Sequence, residues 1–151
     1  MSALLAVLGL SGCAGSNVHV DGFAVSGGDR AACRQLLTTL PAKVDDQSRR
    51  TVTGSTYAAA WGDPAIVLRC GVPLPKGAAG DPCITRNGIG WTVPPGQADQ
   101  LGRDLVMTLA FRSPVVQVSV PATYRPNGPS AVMADLDSAV RTHTTAHGKC
   151  S

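Results

Sequence analysis

Four cysteines distributed from Cys33 to Cys150 constrain this chain more than any other feature, because two cross-links among them must be met by whatever fold it adopts. The sequence holds five cysteines, an odd number that leaves one thiol over in an oxidising compartment. Cys13 closes an apolar leader and belongs with it, so Cys33, Cys70, Cys83 and Cys150 remain for two disulfides. Four cysteines allow three connectivities. We expect Cys70-Cys83, closing a Pro/Gly-rich excursion, and Cys33-Cys150, tying an opening helix to the end of the chain. Each would contribute roughly 3 to 5 kcal/mol in the loop-entropy model. No C-x-x-C occurs, which argues against a thioredoxin-like redox site.

The leader is the second constraint. The run Leu10-Ser11-Gly12-Cys13 follows the apolar stretch from Ala3 to Leu10 and resembles a bacterial lipoprotein signal. That resemblance implies a signal peptide over residues 1–12, cleavage before Cys13 and acylation of its thiol, with small residues at Ser11 and Gly12 suiting the cleavage. The stretch is far shorter than the roughly 20 apolar residues a membrane-spanning helix needs. No Lys or Arg precedes it, the one departure from a standard signal and a sign of a true start upstream of Met1.

Residues 13–29 are rich in Gly, Ser and Ala and read as a lipidated cysteine followed by a flexible tether, leaving residues 30–151 as one globular domain. A formal charge of +3 with scattered basic residues, Arg49-Arg50 being the only adjacent pair, gives no electrostatic footprint for nucleic acid.

Within the domain, Ala32, Cys33, Leu36, Leu37 and Leu40 recur at helical spacing, with Asp29 before them and Pro41 as a stop. Ser48 to Thr53 and Ala58 to Cys70 read as strands, the second bent at Gly62-Asp63-Pro64, and residues 71–82 read as a loop. Asp45-Asp46 looks like a turn. Asn87-Gly88 predicts a hairpin across Ile84 to Val93. Ala98 to Phe111 fits a helix or a strand, Val115 to Val120 alternates as a strand, and Ser130 to His143 is an amphipathic helix with Arg141 late. The pattern predicts a two-layer α+β domain, its antiparallel sheet covered on one face by the N- and C-terminal helices and stapled by two disulfides.

Trp61-Gly62-Asp63-Pro64, Leu68-Arg69-Cys70-Gly71-Val72-Pro73, Arg112-Ser113-Pro114, Val118-Ser119-Val120-Pro121 and Tyr124 together resemble the actinobacterial envelope family catalogued as domain of unknown function 3515. The resemblance runs from about Cys33 to Cys150. It implies a membrane-associated protein and carries no catalytic residues.

Several constellations bear on chemistry. Arg69 and Arg112, with Arg86, could clamp a carboxylate or phosphate if strand order joins them. Trp61, Trp91 and Tyr124 could line a glycan-binding surface, although a Trp on an alternating strand is more often core. His143 and His147 stand at i and i+4 with Cys150 beyond, an incomplete zinc pattern competing with a disulfide at Cys150. G-x-S-x-G, S-x-x-K, H-E-x-x-H, Walker and Rossmann signatures are all missing from the sequence, and no cofactor is expected. The leading expectation is a lipid-anchored, non-enzymatic binding or accessory module on the extracytoplasmic face of the cell membrane. Its partner would be an envelope protein or cell-wall glycan. The alternatives are an envelope enzyme acting on a glycan or peptide, and a metal-binding lipoprotein.

Overall fold

The computed structural model describes residues 16–127 and 129–150, so the leader, Cys13 and its acylation lie outside the described residues. The elements in chain order are β1 (Val18–His19), α1 (Arg30–Thr39), β2 (Lys43–Val44), β3 (Gln47–Arg50), β4 (Val52–Thr53), β5 (Ala58–Trp61) and β6 (Ile66–Cys70). After them come β7 (Cys83–Arg86), β8 (Ile89–Thr92), β9 (Leu105–Thr108), β10 (Arg112–Ser113), β11 (Val116–Val120), α2 (Pro129–His143) and β12 (Thr145–Ala146). Among the described residues, eight strands form one sheet in the order β2-β3-β5-β6-β11-β9-β8-β7, antiparallel throughout. The expected α+β class is correct.

Alternation along the strands sorts the two faces. Leu68 lies opposite Ala59 and Val118, and Val118 opposite Met107, all buried against Cys33 and Leu36 of α1 and Val132, Leu136 and Val140 of α2. The other face carries Ala60, Val67, Arg69, Gln117 and Thr108, the intervening residues of the same strands. Asn87 and Gly88, with φ of 51° and 78°, make the expected tight turn between β7 and β8, and Asp45-Asp46 turns β2 into β3 with φ of 48° and 60°. Of the ambiguous stretch 98–111 only β9 is regular, and Leu101 is an exposed loop residue.

The sheet curls around its helices. Flat, eight strands at about 4.8 Å would set β2 and β7 roughly 34 Å apart. Yet α2 touches both edge strands. Asp135 on α2 accepts the Asp45 amide after β2 at 2.8 Å, and Arg141, six residues on, donates to the Asn87 carbonyl after β7 at 2.7 Å. Those helix positions are only about 9 Å apart along the axis. The two edges are therefore drawn toward one helix.

Two expectations fail. The disulfides join Cys33 to Cys70 and Cys83 to Cys150, with Cα separations of 5.5 and 5.9 Å, and not Cys70-Cys83 and Cys33-Cys150. Strand order excludes the first expected pair, because β11, β9 and β8 stand between β6 and β7 and put their strands roughly 19 Å apart. Opposite faces exclude the second. Cys33 is in the core under α1, whereas a Cβ on Gly90 would collide with the Cys150 sulfur, which places Cys150 on the far face from Ile89 and Trp91. The second correction concerns residues 13–29, read as a tether. From Val18 on they belong to the fold: the Val18 and Val20 amides donate to Thr51 and Thr53 carbonyls at 2.9 Å, Val20 covers Ala60 and Val67, and Val25 enters the main core. Three valines at separations of two and five suffice to hold a segment whose composition otherwise reads as linker.

Candidate binding site

The C-terminal tail builds a cleft where β8 presents Gly90, which has no side chain, beside Thr85 of β7. Past α2, Thr144 is buried and its hydroxyl donates to the Val140 carbonyl at 2.7 Å. Arg112 then grips the same residue twice, Nε donating to Thr144 Oγ1 at 2.6 Å and Nη2 to the Thr144 carbonyl at 2.8 Å. β12 pairs with β10, the His147 amide donates to the Phe111 carbonyl at 3.0 Å, and Gly148 passes so close to the Phe111 ring that a Cβ would lie 2.9 Å from it. Beyond that, the Cys83-Cys150 bridge fastens the tail to β7.

A cavity of about 220 Å³ opens between the tail and the β7–β8 hairpin, lined by Thr85, Gly90, Phe111, Arg112, Gly148 and Lys149 among others. A second, of about 260 Å³, lies between the tail and the loop at Ala79 to Pro82, sharing Phe111 and Cys150 with the first. Among the described residues the first cavity has no carboxylate in its lining, and the second has Asp81. Burial, and then repulsion from Arg141, hold Arg112 below the ordinary guanidinium value, with Asp137 partly offsetting them. Arg112 nonetheless stays charged at neutral pH. Arg141 itself has a partner in Asp137 at 3.0 Å.

The other predicted site residues are dispersed. Arg69 is half-buried on the far face opposite Gln117 and lines neither cavity, and Arg86 is on β7, so the three-arginine clamp does not form. Trp61 and Trp91 are 0 % and 1 % exposed and Tyr124 is buried beside them, which removes the aromatic platform. The Trp61 indole donates to the Pro41 carbonyl at 3.0 Å with Arg49 stacked 5.0 Å from its ring. Burial lowers the Arg49 pKa there. Cys150 is committed to its disulfide, and among the described residues no three His, Cys, Asp or Glu side chains, His143 and His147 included, converge for a metal.

The sequence reading points to Gly88 only as a turn residue and not to Phe111, Lys149, Gly90 or Gly148, because nothing local says that the tail folds back. Arg125 likewise carries no local sequence signal of its role. Only 2 % exposed, it donates to the carbonyls of Gln97, Ala98, Gln100 and Arg103, tying down the loop before β9. No curated protein and no solved structure matches this chain. A family model described as "Protein of unknown function (DUF3515)" matches residues 2–148, nearly the whole sequence and including the Trp61-to-Pro64 and Arg69-to-Gly71 motifs, and the chain belongs to that family.

Proposed function

We propose that this protein is an extracytoplasmic binding module, held at the membrane by lipid on Cys13 and recognising an envelope component through the cleft under its C-terminal tail. The observation that carries the reading is the cysteine pairing. Cys33, Cys70, Cys83 and Cys150 pair among themselves, which fits an oxidising compartment, and Cys13 in its Leu-Ser-Gly-Cys setting is left over. The cleft suits binding better than catalysis. Among the described residues, its basic groups face no carboxylate or imidazole in the first cavity, so no base stands ready beside the Thr85 hydroxyl.

Five residues from Cys13 to Val18 give at most about 17 Å of extended chain before the first pinned strand. An acylated Cys13 would therefore hold the domain against the bilayer. The test is membrane fractionation and cross-linking in intact cells of the wild-type chain and of Cys13→Ala. Anchoring predicts that the wild type sediments with membranes, the variant does not, and a cross-linked partner is recovered with the tethered form. A variant that stays with the membranes as fully as the wild type overturns the anchor.

A further inference from the structure

The cavity between the β7–β8 hairpin and the tail has an oriented cation, Arg112, and among the described residues no carboxylate lines the space with it. Arg112 spends Nε and Nη2 on Thr144, which fixes the plane of its guanidinium, while Nη1 donates to no acceptor among the described residues. Lys149 adds a second charge on the tail, and Asp137, the carboxylate whose charge acts on Arg112, already pairs with Arg141. Glycine at 88, 90 and 148 keeps side chains out of the space, and a Cβ on Gly88 would touch nothing within 4 Å. Phe111 supplies one apolar wall.

We propose that this cavity binds a small organic oxyanion, its charged head on Arg112 Nη1 and Lys149 and a short apolar body against Phe111. A planar guanidinium with one edge free and its orientation locked is suited to phosphate and carboxylate oxygens. Size narrows the class further. At about 220 Å³ the space falls below the roughly 300–1,000 Å³ of pockets for drug-sized ligands, so the occupant is a compact group. It is either a free metabolite-sized anion or the phosphate head of a lipid.

The proposal deepens the binding reading above by giving the cleft a ligand class, and it does not need the anchor. The purified chain is titrated with inorganic phosphate, phenyl phosphate and benzoate while ¹H–¹⁵N spectra follow the Arg112 Nε–H and the Gly90 and Gly148 amides. In parallel it is mixed with phosphatidylcholine vesicles with and without phosphatidylglycerol. Saturable shifts, tighter for phenyl phosphate than for inorganic phosphate and weakened about two- to fivefold in Lys149→Gln, are expected for a free anion. Vesicle binding that requires phosphatidylglycerol and falls in Lys149→Gln assigns the headgroup instead. Shifts that stay linear for every probe without vesicle binding, or saturation and vesicle binding indifferent to Lys149→Gln, overturn the proposal. Lys149 is exposed and outside any strand or helix, so its variant keeps the fold. Partner capture in cells alongside a failed titration would refute the oxyanion and leave the binding module standing.

Discussion

Replacing Cys33 and Cys70 together by alanine should cost far more stability than replacing Cys83 and Cys150, although loop length alone ranks them the other way. The sequence separations of 37 and 67 residues correspond to about 3.9 and 4.4 kcal/mol of loop-closure entropy. The native states without each bridge differ. Cys33 and Cys70 are both fully buried between α1 and β6, where packing keeps the two elements in place, so alanine forfeits the entropy term and leaves a void worth about another 1 kcal/mol. The tail behaves otherwise. Among the described residues its last backbone hydrogen bond is from the His147 amide, so residues 148–150 fray once Cys150 is released, each recovering on the order of 1 kcal/mol. Net costs are then about 5 kcal/mol for Cys33→Ala/Cys70→Ala and about 1–2 kcal/mol for Cys83→Ala/Cys150→Ala. Urea denaturation reads both, with midpoints compared at a common slope of about 1–3 kcal/mol/M. Hydrogen exchange should show fast amides confined to the end of the tail in the second variant. If Cys83→Ala/Cys150→Ala loses as much as the core pair, loop length governs and the distinction between packed and frayed ends is wrong.

Three further substitutions probe other joints of the structure. Trp61→Phe strands the Pro41 carbonyl and loses most of the Arg49 stacking, so thermal denaturation should report a loss of about 2–3 kcal/mol; under 0.5 kcal/mol would show that neither contact matters. Arg125→Lys cannot reach four carbonyls with one ammonium, and trypsin should cleave after Arg103 at least about tenfold faster than in the wild type, an expectation defeated by equal rates. Gly90→Ala sets a methyl on the Cys150 sulfur and should leave titratable thiol beyond that of Cys13 in the purified chain, whereas Gly27→Ala, with nothing within 4 Å, should leave none beyond it. Equal thiol in the two variants would mean that the tail does not lie over β8.

The helices and most of the strands were legible because their signals are local. Cys33, Leu36 and Leu40 repeat at helical spacing, Val116, Val118 and Val120 alternate, and Asn87-Gly88 specifies its own turn. The disulfide pairing was not legible, since it depends on strand order: the chain from β6 must cross three strands before reaching β7, and no residue near Cys70 or Cys83 encodes that distance. Half of the cleft was visible as Arg112. Its other half, Phe111 against Gly148 and Lys149, joins positions nearly forty residues apart through a tail whose sequence reads as polar and unstructured.

A less local signal was nonetheless present in the smallest side chains. On the face of the sheet away from the helices, Ala60 receives Val20 and Gly90 receives Cys150, while at the end of β6 a Cβ on Gly71 would strike Val25. Each small residue marks the place where a chain segment from outside the sheet lands. A larger side chain there would hold that segment off, and the far face of a curled sheet is where α1 and α2, which cover the other face, leave surface to cover. Gly90, inside a strand flanked by Ile89 and Trp91, is therefore a sequence-level pointer to close approach, and the segment it admits is the tail that closes the cleft.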